Sequence, residues 1–190
     1  MPDASVHGVG CHAIQFFRWI YDRAPVLSVY AHLGRYVHTD KTRGDDYGFL
    51  ILEFDGNRAA LAEEGWTRLG GMDDHAEIVG DAGNARANVH EDRSVKVFST
   101  KGYDYSVEKA GSEIGWTGLA FEEEWSYGFP QEMQHFIECV AYNKRPLVTG
   151  EDGLAVTEIL LAAYQSAATG QKIMLPFETD ATSPQALLDA

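Results

Sequence analysis

Tyr47-Gly48-Phe49-Leu50-Ile51-Leu52-Glu53-Phe54, with Asp55-Gly56-Asn57 behind it, is the stretch that decides the fold. Its aromatic and branched residues favour a strand, and the Asp-Gly-Asn that follows is a hairpin turn signal. Successive side chains on a strand point to opposite faces, so Tyr47, Phe49 and Ile51 share one side and Leu50, Leu52 and Phe54 the other. An antiparallel sheet with one wet face alternates apolar with polar residues, whereas here both faces are apolar. The chain's own helices can cover one face. The other then meets a second domain or another subunit, unless the strand is buried on both sides within a single domain. Leu61 and Trp66, on opposite faces of the returning strand Arg58 to Trp66, fit the first of these readings.

Upstream of this hairpin, Val26 to Val37 reads as a strand, followed by a polar loop from Thr39 to Asp46. A helix from Cys11 to about Arg23 precedes it, with Ile14, Phe17 and Tyr21 on one stripe and Pro25 as its stop. Downstream, the Gly70-Gly71 break leads to short strands at His75 to Val79, Ala85 to Val89 and Val95 to Ser99. Residues 101–128 read as extended chain with a loop. Helices follow at Pro130 to Tyr142 and Asp152 to Ala168, then a short strand Lys172 to Leu175, and a mobile tail from residue 178 to 190. The order predicts an α+β domain over residues 1–177: a mostly antiparallel open β-sheet with helices packed on one face and an oligomer interface on the other.

Composition narrows the function classes. A chain of 190 residues with 45% apolar residues can form a core without a metal or disulfide staple. Its net charge is −14, from 29 acidic and 15 basic residues, and no run of Lys or Arg occurs. That balance argues against nucleic-acid or anionic-membrane partners, which need a clustered positive field. Cys11 and Cys139 stand alone, outside any metal-ligand pair, and read as reduced thiols in a reducing compartment. With no basic and apolar leader after Met1, the cytoplasm is the expected location.

Gly8-Val9-Gly10-Cys11-His12-Ala13 matches the dinucleotide pattern GxGxxA. That fingerprint works as the turn between a buried strand and a helix, and the short polar segment before Gly8 cannot supply the strand. The same residues also start a wider similarity. The segment Gly8-Val9-Gly10-Cys11-His12, running into Ala13-Ile14-Gln15-Phe16-Phe17-Arg18-Trp19, resembles the opening of the C-terminal domain in the glucose–fructose oxidoreductase/inositol dehydrogenase/MocA family. The similarity continues through Ser28-Val29-Tyr30-Ala31, Asp45-Asp46, the Phe49 to Phe54 strand and Glu77-Ile78-Val79-Gly80. It closes with Ala163-Tyr164-Gln165-Ser166-Ala167, Thr169-Gly170, Lys172-Ile173 and Leu175-Pro176-Phe177.

The resemblance implies an NAD(P)-dependent sugar or polyol oxidoreductase whose N-terminal Rossmann domain binds the cofactor, with this chain binding none alone. It also implies that His12 exchanges the substrate hydroxyl proton, assisted by a Lys in a Glu-Lys-Pro segment of the other domain. Here the only Glu-Lys, Glu108-Lys109, precedes Ala110, and Gly8 stands where the family carries an Asp. In the first turn of its helix, His12 would feel the positive end of the macrodipole, which disfavours imidazolium. A structural hydrogen bond is the plainer role for such a histidine. Trp116, Trp125 and Tyr127 offer apolar faces to a sugar ring or pack in a core, and Trp116, among glycines and polar residues, is the candidate substrate contact. Asp73-Asp74-His75, His32 with His38 and Asp40, and Glu122-Glu123-Glu124 read as solvated polar groups and not as metal ligands. A stand-alone carbohydrate-binding or dimerisation module, without catalysis, is the alternative function.

Overall fold

The computed structural model describes residues 4–69, 72–88, 95–101, 114–119, 123–181 and 183–189. Gly70-Gly71, Val89, Glu108-Lys109 and Glu122 therefore lie outside the described residues. The chain forms two compact units where a single one was expected: residues 1–67 with 147–190, and residues 68–146.

The first unit is built on the hairpin that opened the sequence reading. β2 (Tyr47–Phe54) pairs antiparallel with β3 (Arg58–Gly65), and the connecting turn takes positive φ at Gly56 and Asn57, residue types that tolerate the left-handed region. β1 (Val26–Gly34) lies on the other side of β2, and β8 (Ile173–Met174) completes a four-stranded antiparallel sheet ordered β3-β2-β1-β8. The register sets Leu52 opposite Val29, and Leu50 between Ala31 and Ala62. All of these, with Phe54, are buried on one face. Two helices cover that face: α1 (Ser5–Ile20), through Val6 and Ile14, and α4 (Gly150–Thr169), through Val156, Ile159, Leu160, Ala162, Ala163 and Tyr164. Each fully buried Leu or Ile in this layer contributes about 1.5–3 kcal/mol from water exclusion. Close approach is written into the sequence at Gly48, where an added Cβ would stand 2.5 Å from Leu33 Cδ2 and 3.0 Å from Val6 Cγ2.

The α+β class, the antiparallel pairing and the helices on one face agree with the sequence reading; the boundaries differ where distant residues intervene. α1 starts at Ser5, six residues before the expected Cys11, and Gly8 and Gly10 sit inside it. Its N-cap residue Ala4 offers no side-chain cap; the Asp45 carboxylate accepts from Ser5 Oγ at 2.7 Å and Val6 N at 2.8 Å instead. No local signal marks a cap that lies forty residues along the chain. β1 stops at Gly34, short of Val37, because the amides of Tyr36, Val37 and His38 turn inward to the Asp46 carboxylate at 2.8, 2.7 and 2.6 Å. The tail is a further correction. Ser183 caps α5 (Pro184–Leu188), and Leu187 is buried in the core against α4, so apolar burial orders a segment expected to be mobile.

The second unit contains two antiparallel ribbons, β4 (His75–Gly80) with β5 (Gly83–Asn88) and β6 (Val95–Ser99) with β7 (Gly115–Leu119). It also holds α2 (Glu123–Ser126) and α3 (Phe129–Tyr142). α3 begins after Gly128 at φ 83°, with Pro130 in its first turn, where the missing N–H costs nothing.

Candidate functional site

α1 carries His12 as the eighth of its sixteen residues, two turns in from Ser5. The macrodipole argument made from sequence therefore fails for His12, because that field acts within the first turn. His12 is exposed and has no hydrogen-bond partner among the described residues. Its ring stands on the outer side of the helix while Ile14, two residues on, is fully buried beneath. Gly8 lies one turn before His12 and presents no side chain to it.

What fixes this helix is a polar clamp at its N-terminus. Besides the two bonds from Ser5 and Val6, Asp45 accepts a 2.6 Å hydrogen bond from Tyr164 Oη, which in turn accepts from His7 N at 3.1 Å. Ser5 N donates to Asp45 O at 2.8 Å. Burial raises the Tyr164 phenol above its ordinary value, and the Asp45 charge adds to the shift, so the hydroxyl stays protonated as a donor. At the other end of α1, Arg18 and Arg23 reach the buried Asp152, at 3.3 and 2.9 Å. Asp152 also closes the capping box of α4 with Thr149. The Arg23 hydrogen bond, with those from Thr149, outweighs burial and holds this carboxyl well below the usual carboxylate range. Burial alone would raise Asp46, but its three backbone donors bring that carboxyl below its ordinary value as well.

None of Asp45, Asp46, Tyr164 and Asp152 was assigned a role from sequence. Thr149-x-x-Asp152 before an apolar run was a readable capping signal, and an aromatic hydroxyl buried in the middle of α4 calls for a partner.

Trp116 lies in the second unit, on β7, 75% exposed, and its ring is 5.4 Å from that of Phe98 directly across the ribbon. His12 and Trp116 thus belong to different units. Trp125 is exposed and Tyr127 pairs with Phe129 at 6.3 Å, so Trp125 does not pack in a core. His75 Nδ1 bonds Asp73 Oδ1 at 2.8 Å, and Arg68 pairs with the same carboxylate. His32 stacks on Phe49 and bonds Tyr36 Oη at 2.9 Å, while His38 bonds the Trp66 carbonyl at 3.0 Å, so these two histidines do not converge on Asp40. Cys11 and Cys139 are free thiols. No group of three or more metal-ligating side chains occurs among the described residues, and no described helix is long and apolar enough to cross a membrane.

Gly8 to Ala13 lie inside α1, where their backbone N–H groups point along the helix into its own ladder, so the GxGxxA match is not the strand-to-helix turn of a dinucleotide site.

The far face of the four-stranded sheet carries no helix of the first unit. Ile51 is 41% exposed and its cross-strand neighbour Leu61 63% exposed, flanked by Met174, Phe49, Tyr30 and the ion pair Lys172–Glu53 at 2.6 Å. On β2, Leu50, Leu52 and Phe54 are buried, whereas on the other face Tyr47, Phe49 and Glu53 are partly buried and Ile51 is exposed.

Comparison with known proteins matches this architecture. The sequence model of the Gfo/Idh/MocA oxidoreductase family, C-terminal alpha/beta domain, matches residues 4–175. The chain is 28% identical over 155 residues to scyllo-inositol 2-dehydrogenase (NAD(+)) of Bacillus subtilis (strain 168), a match covering 80% of this chain and 42% of that protein. Among solved structures, GenD2 from gentamicin A biosynthesis, crystallised with NAD, superposes with a TM-score of 0.83 at 22% identity, over 91% of this chain and 48% of that one. The scyllo-inositol dehydrogenase of Lactobacillus casei, with NAD(H) and scyllo-inositol bound, gives 0.67 at 20% identity, over 87% and 46%. The chain thus spans less than half the length of these relatives. The helix that bears His12, the hairpin of β2 and β3, and the close of the chain through α4 and β8 are parts of one domain type: the chain belongs to the Gfo/Idh/MocA oxidoreductase family, as its C-terminal alpha/beta domain.

Proposed function

We propose that this chain is the substrate-binding and self-associating half of an NAD(P)-dependent sugar or polyol oxidoreductase. It works with an N-terminal Rossmann domain and is not competent for hydride transfer by itself. The observation that carries the reading is the presentation of His12: an exposed imidazole with no hydrogen-bond partner among the described residues, on a helix anchored at both ends by buried carboxylates. A neutral imidazole takes a substrate hydroxyl proton as an alcohol is oxidised and returns it in the reverse direction, a role worth a factor of about 10² to 10⁴ in rate. The polyol class is supported by the likeness to an inositol dehydrogenase at the level of sequence. Trp116 offers an exposed apolar face of its own within the second unit, and the partly exposed sheet face around Ile51 and Leu61 seats a second copy of the chain. The free thiols suit a reducing cytoplasm.

The test is His12→Ala in the protein joined to its nucleotide-binding half. Turnover is expected to fall at least about 100-fold. A loss within about threefold would remove the acid–base role and leave the second reading, a non-catalytic carbohydrate-binding or dimerisation module. That reading is favoured by one observation: Gly8 stands where the acid that would orient the imidazole is expected.

A further inference from the structure

The outer face of α1 holds more than a histidine. His12, Phe16 and Trp19 follow at i, i+4 and i+7, which places them on one stripe of the helix. Residues one turn apart are surface neighbours on a helix, so Phe16 stands next to His12 and Trp19 next to Phe16. The two rings are 6.2 Å apart between centroids, tilted by 39°. Phe17 and Tyr21, further round the same helix, pack on the core; Phe16 and Trp19 do not, and Trp19 is 63% exposed. Gly8 continues the stripe toward the N-terminus with no side chain to fill it. One strip of surface therefore runs from Gly8 through the exposed imidazole to a half-buried Phe16 and an exposed Trp19, neither of which packs on the core.

We propose that Phe16 and Trp19 form the platform on which a polyol ring rests while a hydroxyl at its rim meets His12. The inference rests on the reading of His12 as the proton-exchanging residue and adds the group that sets which ring is accepted. The chemistry that fits is a cyclohexane-type polyol with equatorial hydroxyls: its C–H bonds line both flat faces, which suit aromatic rings, and its hydroxyls project around the edge. A ring with axial hydroxyls on the contacting face would press polar groups against Phe16 without a partner.

Saturation-transfer NMR on the chain with scyllo-inositol as the probe, read beside thermal melting, tests this. Transfer to the ring C–H protons is expected in the unaltered chain. Phe16→Ser and Trp19→Ser should each weaken apparent affinity at least about fivefold while leaving the melting temperature unchanged, since neither residue packs on the core. The proposal is overturned if the unaltered chain shows no transfer, or if both variants bind as well as it does. His12→Gln separates the two layers of the reading. Binding lost only in His12→Gln leaves the histidine's role standing without the platform, and binding lost only in the aromatic variants leaves the platform without that role.

Discussion

The two faces of one strand behave as opposites. On β2, Leu50, Leu52 and Phe54 are sealed beneath α1 and α4, while Ile51, between them in sequence, is 41% exposed and neighbours Leu61 at 63%. Both faces have the same kind of residue, so hydrophobicity alone does not distinguish a core from a surface. What separates them is where the flanking helices land. The covered face holds the unit together, and the other is left partly exposed.

The sharpest contrast is a pair of truncations. Leu52→Ala should destabilise the chain by about 2–5 kcal/mol in urea unfolding, through lost burial and the cavity left behind. Leu61→Ala at low protein concentration should cost less than about 0.5 kcal/mol. Equal costs would mean that the second face is also part of the core.

Next in size is the carboxylate that binds the covering helices to each other. Asp152→Ala removes ion-paired hydrogen bonds and half a capping box, and an expected loss of about 3 kcal/mol follows. Because the folded-state carboxyl is depressed, its contribution is present above the unfolded value of about 3.9 and is lost as pH falls toward the lower folded value. Thermal stability should therefore decline below about pH 4, and Asp152→Asn should flatten that decline. A pH profile identical in the two proteins would show that Asp152 does not carry the linkage.

Smaller again is Tyr164→Phe, which leaves Asp45 short of one buried donor and His7 N short of its acceptor; about 1–3 kcal/mol is expected from the melting curve. The least effect on folding, and the greatest on mass, should come from Leu61→Glu. Analytical ultracentrifugation is expected to give a dimer or larger for the unaltered chain and a monomer for the variant, with the fold intact. A chain that sediments as a monomer without any substitution removes the case for association through this face.

Much of this architecture was legible because it is local. The apolar β-forming run from Tyr47 to Phe54, the Asp55-Gly56 turn and Pro130 at a helix start each act within a few residues, and the elements they mark are present. The misplaced boundaries share one cause. The start of α1, the end of β1 and the ordering of α5 are set by Asp45, Asp46 and the apolar seat of Leu187, groups remote in sequence from what they control. The candidate site was half legible. His12 stood out by its setting in the sequence, whereas its depth in the helix, and with it the field it feels, depended on a cap forty residues away.

That remote cap ties the birth of one element to another. A peptide corresponding to α1 alone has glycine at positions 8 and 10, each costing about 1 kcal/mol in a helix interior, and nothing to satisfy its first amides. Nucleation is the unfavourable step of helix formation, so this segment gains persistence only when β2 and the loop before it deliver the Asp45 carboxylate. During refolding, amide protection in residues 5–12 should accordingly rise together with protection of the hairpin and not ahead of it.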